Sequence, residues 1–282
     1  MKVYSWHDIH HLHYSDSRNS PFRTPSALTI GGFDGPHSGH QSLLDRILSE
    51  ANENTLEPGV VTFRRPPRVF KSGEQYSGDV STIAQKLEFF EAIGMRFVVL
   101  IDFSGDFGTM TGGMFLDILV KTVRMEYLAV GPDFRCGHRL DTGAAEIAAL
   151  ARREGFRFDS IRQVEIDGRR VSSSLIRDAV YRADFTLAET LLGRPFLLDL
   201  RDAGWKACET GLESDRASFT QILPCQGIFT VRLFLRDGTA VPAVLSCTAQ
   251  TVTLSASEAS LPVPEELAAA QFVYHDVNHK KE

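Results

Sequence analysis

The run Leu28-Thr29-Ile30-Gly31-Gly32-Phe33-Asp34-Gly35-Pro36-His37-Ser38-Gly39-His40 constrains this chain more than any other stretch. A short apolar strand passes into a glycine-rich turn and then into a helical pattern, in which Leu43, Leu44, Ile47, Leu48 and Ala51 share one face. Ser38 and Gln41 stand at capping-box spacing, so the helix is expected to start at Ser38. Gly31, Gly32 and Gly35 let the backbone turn sharply and let a phosphate come close. The helix start supplies free N–H groups and a positive dipole end, both attractive to an anion. His37 and His40 flank that start, and Gly39 leaves room where a larger side chain would block a ligand. The plain alternative is a turn with two surface histidines. Position directly after a strand and a Gly-x-Phe-Asp-Gly turn favours the ligand-binding reading. Zinc is a poorer reading, because no third ligand is evident nearby.

From Ala27 to about Val164 the chain alternates short apolar strands with amphipathic helices. Strands are expected at Ala27–Ile30, Val60–Phe63, Phe97–Ile101, Tyr127–Val130 and Phe158–Val164. Helical faces recur at Ile83/Leu87/Phe90, at Phe115/Ile118/Leu119/Thr122 and at Ala144/Ile147/Ala148/Ala151. Such repetition predicts right-handed βαβ units and a parallel sheet, with ligands at the carboxyl ends of its strands. Helices at Ser173–Arg182 and Phe185–Leu192 follow, closed by Gly193-Arg194-Pro195. Beyond them Ile228–Leu235, Ala240–Leu245 and Thr251–Ser255 are β-rich, with a hairpin signal at Asp237-Gly238. Two domains are therefore expected, 1–195 and 196–282, the second ending in a polar tail at Asn278–Glu282.

Charge and cysteine usage narrow the function classes. Thirty-six acidic against 30 basic side chains give a net charge of −6, which argues against a general nucleic-acid binder. No apolar run is long enough to cross a bilayer, and Met1–Tyr14 lacks the core of a signal peptide. Cys136, Cys208, Cys225 and Cys247 are widely spaced, so reduced thiols in the cytoplasm are expected rather than disulfides or zinc. His7, His10, His11 and His13 crowd the amino terminus at irregular spacing, and a solvated segment is expected there.

Four blocks in order resemble the FAD synthetases, specifically the adenylyltransferase module of the bacterial bifunctional riboflavin kinase/FAD synthetase family. The glycine turn through His40 resembles its G-x-F-D-G-x-H-x-G-H signature. Gly131-Pro132-Asp133-Phe134-Arg135-Cys136-Gly137 resembles its G-x-[DN]-F-x-F-G segment. Val171-Ser172-Ser173-Ser174-Leu175-Ile176-Arg177 resembles I-S-S-T-x-I-R, and Leu191-Leu192-Gly193-Arg194-Pro195-Phe196 the closing L-L-G-R-P-[YF]. The resemblance covers about residues 27–196. It implies an α/β fold: a Rossmann-like HxGH nucleotidyltransferase domain with a parallel sheet, plus a small C-terminal β-rich, barrel-like domain. It implies ATP and FMN as substrates, Mg²⁺ on the phosphates, and FAD and pyrophosphate as products. His37, His40 and Arg177 are then the catalytic candidates. Gly31, Gly32, Phe33, Asp34, Gly39, Asp133, Arg135, Ser172, Ser173 and Ser174 are the nucleotide-binding ones, with Asp133 also a weak candidate for the metal. No nucleic acid or membrane is expected as a partner, and protein partners stay open.

Two departures from that family stand out. Where it carries T-F-[DE]-P-H-P, this chain reads Thr62-Phe63-Arg64-Arg65-Pro66-Pro67-Arg68. Arg64, Arg65 and Arg68 become candidates for holding the FMN phosphate or the triphosphate, against a solvent-facing basic patch. Residues 196–282 also lack the glycine-rich loop and P-T-A-N motif of a riboflavin kinase, although Leu223–Val231 resembles one of its strands. A kinase-dead remnant is expected. Other readings are a non-catalytic flavin- or nucleotide-binding protein, and an adenylyltransferase for another phosphorylated acceptor.

Overall fold

The computed structural model describes residues 1–15, 20–64, 77–102, 105–162, 164–166, 168–256 and 261–273. Two compact units divide the chain, one formed by Met1–Gln75 with Lys86–Arg170 and the other by Tyr76–Gln85 with Val171–Glu282. The chain between 171 and 195 packs with the β-rich part, whereas composition alone draws a line at 195.

In chain order the first unit holds β1 (Lys2–Ser5), α1 (Trp6–Tyr14), β2 (Ser26–Ile30), α2 (Ser38–Asn54) and β3 (Glu57–Phe63). There follow α3 (Ile83–Ala92), which belongs to this unit from Lys86 onward, β4 (Phe97–Ile101), α4 (Gly112–Thr122) and β5 (Met125–Val130). It closes with α5 (Ala144–Glu154), β6 (Arg157–Ser160) and the small hairpin β7 (Glu165–Ile166) and β8 (Arg169–Arg170). Six strands form one sheet in the order β1-β4-β3-β2-β5-β6, and every pairing is parallel. All five residues of β2 are buried, as expected of a central strand covered on both faces. Helix α2 packs on β2, β3 and β5. Trp6 and Ile9 of α1, Phe115 and Leu119 of α4 and Ile147 of α5 share a core with Leu28, Ile30 and Val130 of the sheet.

Successive strands run β2, β3, β4 to one side, and the chain then returns to place β5 on the other side of β2. Strand order therefore reverses between β2 and β5. The loops leaving these two strands diverge there and open a crevice at the carboxyl edge.

The amino-terminal segment is not a solvated tail. β1 pairs with β4 at the edge of the sheet, and α1 begins with a capping box in which the Ser5 hydroxyl accepts from the Asp8 amide. Trp6 packs 5.1 Å from the Phe115 ring. His7 and His11 are exposed, His13 Nδ1 lies 3.0 Å from Thr122 Oγ1, and no group of three His, Cys, Asp or Glu among the described residues could hold a metal. The strand expected over 158–164 also stops earlier, at Ser160, where β5, its partner, has ended at Val130.

The second unit holds α6 (Ser173–Tyr181), α7 (Phe185–Leu192), β9 (Leu197–Asp199), β10 (Lys206–Cys208), β11 (Gly211–Asp215), β12 (Gly227–Leu235), β13 (Ala240–Cys247), β14 (Thr251–Ala256) and β15 (Leu267–Phe272). Its seven strands form a curled antiparallel sheet ordered β10-β11-β14-β13-β12-β15-β9. The Asp237-Gly238 turn joins β12 to β13, with Gly238 at φ 88° and the Asp237 carboxylate accepting the Thr239 amide at 2.8 Å. Gly193 ends α7 in the left-handed conformation. Phe185 stacks on Phe272 at 4.0 Å, joining α7 to the sheet. The Gln221 amide donates to Val80 O and Leu197 O, each at 3.0 Å, which fastens the strip around Val80 to this unit. The tail at Asn278–Glu282 lies outside the described residues.

Packing of α1 gives a direct check. Trp6→Ala should lower unfolding stability in urea by about 3 kcal/mol. A loss under ~0.5 kcal/mol, typical of a surface position, would mean that the segment is not part of the core.

Candidate active site

β2 ends at Ile30, and the turn that follows is held on both flanks. The Gly31 amide continues the ladder by donating to Val61 O at 3.0 Å. The Gly32 carbonyl accepts from Thr62 Oγ1 at 3.1 Å and from Lys86 Nζ at 3.3 Å. A Cβ on Gly31 would stand 3.0 Å from the Phe33 ring, so the turn leaves little room there for a side chain. Phe33 takes φ 43°, uncommon for a bulky residue. Its ring is buried against His40 at 5.0 Å and Phe90 at 5.6 Å. Asp34 is buried, and Gly35 supplies a second positive φ at 57°.

Helix α2 starts at Ser38 as its sequence pattern predicts, but a different pair closes its first turn. His37 is the N-cap and His40 occupies the third helical position, where its Nδ1 accepts the His37 amide at 3.4 Å. The Gln41 side chain instead donates to Asp45 at 2.7 Å. The two imidazoles stack 3.7 Å apart at 20°. Because Nδ1 accepts, the proton of a neutral His40 sits on Nε2. Burial first, then the neighbouring His37 and the Arg170 guanidinium, hold the His40 pKa well below the ordinary histidine value. His40 is therefore a neutral donor through Nε2 at pH 7. Gly39 is buried between the two histidines in sequence.

A cavity of about 620 Å³ opens beside this turn, in the crevice between β2 and β5. Gly31 and Gly32 form one edge, and Phe63, Phe107, Phe115 and Phe134 make its walls largely apolar. The loop after β5 completes it with Asp133, Arg135 and the 136–140 segment. That segment is built with care: Arg139 and Leu140 both have positive φ, at 54° and 60°, while Arg135 Nε donates to Leu140 O at 2.9 Å. Burial, with Asp141 nearby, pushes the Cys136 thiol up to about 12, so it stays protonated. Asp133 is exposed and ion-paired with Arg170.

Of the residues singled out from sequence, Gly31, Gly32, Phe33, Asp34, His37, Gly39, His40, Asp133 and Arg135 lie in the first unit. The turn and the β5 loop meet at the cavity. Arg64 is exposed and directly follows β3, its amide donating to Ile101 O at 2.9 Å. Arg65 and Arg68 lie outside the described residues. Ser172, Ser173, Ser174 and Arg177 belong to the second unit. There Ser172 caps α6, accepting the Leu175 amide at 3.3 Å, and Arg177 Nε donates to Gly78 O at 2.9 Å. Sequence reasoning missed Lys86, Arg170 and the wall residues Phe107 and Met110. Lys86 was legible, because it falls on the same face of α3 as Ile83, Leu87 and Phe90. The walls were not, since they converge from separate loops.

Residues 19–175 match the FAD synthetase family model. The bifunctional riboflavin kinase/FMN adenylyltransferase of Haemophilus influenzae is 29% identical over 216 residues, covering 75% of this chain and 70% of its own. The protein of the same description from Pseudomonas fluorescens is 32% identical over 222 residues, 77% of this chain and 70% of its own. A crystal structure described as a macrolide-efflux protein from Streptococcus pneumoniae superposes with a TM-score of 0.75. It covers 96% of this chain and 98% of its own at 18% identity, which shows a shared fold alone.

The lowered pKa of His40 has a measurable sign. As pH falls below about 6.5 the unfolded chain takes up a proton that folded His40 refuses, so the histidine subtracts stability in acid. In urea titrations His40→Asn should lose less stability between pH 7 and pH 5 than the wild type. An identical loss in both proteins would contradict the desolvated, neutral imidazole.

Proposed function

The chain belongs to the FAD synthetase family, whose members are nucleotidyltransferases, and from that premise we propose that it transfers the AMP part of ATP to FMN, giving FAD and pyrophosphate. The observation that carries the reading is the shared turn. Gly31 and Gly32 edge the apolar cavity and lead directly into the stacked histidines at the start of α2. One short segment thus links a slot for a flat aromatic ring with a helix start for phosphate, and the cavity falls within the ~300–1,000 Å³ usual for small-molecule sites.

In this reading a phosphate oxygen of FMN attacks the α-phosphorus of ATP in line. The new P–O bond forms as the bond to the β-phosphate oxygen breaks, and its electron pair leaves with pyrophosphate. The attacking oxygen is already anionic, so no side chain has to remove a proton. Catalysis is then positioning and charge stabilisation. His40 donates from Nε2 to a phosphoryl oxygen and His37 stands beside it. Phe63, Phe107 and Phe134 take the flavin ring. Asp133 and Arg135 line the nucleotide side with Gly31, Gly32, Phe33, Asp34 and Gly39, while Ser172, Ser173, Ser174 and Arg177 serve the pyrophosphate end. Arg64, Arg65 and Arg68 replace the family's acidic segment as phosphate ligands.

Asp133 is the protein candidate for Mg²⁺, which would take its other ligands from the triphosphate. Bound that way, Mg²⁺ would neutralise phosphate charge. We assign residues 1–195 to the transferase module and 196–282 to a β domain without riboflavin kinase activity. No described helix is long and apolar enough to cross a membrane, and a cytoplasmic location with no nucleic-acid or membrane partner fits a biosynthetic enzyme.

Purified protein given FMN and MgATP should release FAD and pyrophosphate in equal amounts, while riboflavin and MgATP should yield no FMN. Binding of FMN and nucleotide without turnover would contradict the enzyme reading, and FMN production would overturn the assignment of the β domain. His40→Ala should lower kcat on the order of a hundredfold while FMN affinity changes less than about threefold, as calorimetry would report. Equal losses in both would mean that the imidazole only shapes the pocket.

A further inference from the structure

Lys86 sits on the apolar face of α3 and is only 2% exposed. Taking an ammonium out of water costs several kcal/mol, and a well-packed apolar side chain of similar volume is often no less stable at such a position. Packing alone therefore does not account for a lysine there. Its Nζ lies 3.3 Å from both Gly32 O and Phe63 O, so one cation ties the glycine turn after β2 to the end of β3. Both tied residues line the cavity. Thr62 Oγ1 reaches the same Gly32 oxygen from β3 at 3.1 Å.

The direction of that carbonyl matters. In a trans peptide the C=O and the following N–H point opposite ways. With Gly32 O turned onto Thr62 and Lys86, the Phe33 amide is turned away from them, the sense required of a turn that presents N–H groups to an anion. Two adjoining features make this arrangement costly to hold. Gly31 and Gly32 give the backbone unusual freedom, and Phe33 occupies the left-handed region at φ 43°. A relaxed turn would swing a carbonyl oxygen toward the phosphates and move Phe33 off the His40 ring.

We propose that Lys86, with Thr62, is a positioning residue for nucleotidyl transfer: it clamps the Gly32 carbonyl so that the glycine turn and the His37/His40 pair stay aligned with the phosphates. This inference rests on the transferase reading above. Lys86 touches no substrate in it and acts through the backbone of the turn.

The test compares wild type, Lys86→Met, Thr62→Val and the double variant in thermal unfolding and in steady-state formation of FAD from FMN and MgATP. Lys86→Met should stay folded, with Tm no more than ~5 °C below wild type, while kcat falls ~10- to 100-fold, as expected for loss of alignment, and both KM values change less than about threefold. Thr62→Val should lower kcat several-fold, and the double variant should be little worse than Lys86→Met, because both act on one oxygen. A folded Lys86→Met with kcat within twofold of wild type, a change in KM alone, or fully additive effects would overturn the clamp. If Lys86→Met does not fold, Thr62→Val decides: a fall in kcat near the wild-type Tm supports the proposal, and a fall in Tm with kcat intact overturns it. A wild type that forms no FAD refutes the transferase reading, whereas an active wild type with unaffected variants refutes only the clamp.

Discussion

The hydrogen bond from the His37 amide to His40 Nδ1 governs what the start of α2 can do. It satisfies one of the donors that every helix start leaves open, and it settles which nitrogen of His40 carries the proton. With Nδ1 accepting and the pKa depressed, Nε2–H is the only donor the ring can offer. The two ring nitrogens of His40 thus divide the work: Nδ1 closes the first turn of the helix and Nε2–H is left to donate. The backbone ahead of it carries Phe33 at positive φ and a Gly32 carbonyl that accepts from the buried Lys86.

Topology explains why the site forms here. β2 is central, flanked by β3 and β5, and strand order reverses at β2/β5. The turn after β2 and the loop after β5 must part at that point, and the cavity lies where they do. Aromatic side chains from β3, from the loop after β4 and from α4 close it. Gly31, Gly32, Asp133 and Arg135 thus give the crevice the polar part of its lining, and phenylalanine rings give it apolar walls.

Much of this was legible locally. The Leu28–His40 run combines strand, turn and helix signals within thirteen residues, and the βαβ periodicity located β2 through β5. Legibility failed where distant partners decide the outcome. The amino-terminal histidines disguised a helix whose Trp6, Ile9 and Leu12 stripe and Ser5/Asp8 box were present in the sequence, because that stripe is short and its strand β1 is stabilised only by pairing with β4. Ser38 and Gln41 matched a capping pattern, yet His40 filled the position more effectively from within the turn. Phe107, Met110 and the 138–140 segment carry no local mark of a binding wall. In the β-rich unit, β-branched composition and the Asp237-Gly238 turn revealed β12 to β14, but β9, β10 and β15 are short or Ala-rich and depend on the strands beside them.

A crystal structure with FMN and an ATP analogue that cannot break between its α- and β-phosphates is the most direct measurement. The account predicts an α-phosphate oxygen within ~2.7–3.2 Å of His40 Nε2, with the flavin ring among Phe63, Phe107 and Phe134. Nucleotide seated away from the start of α2, with His40 Nε2 facing only solvent, would contradict it.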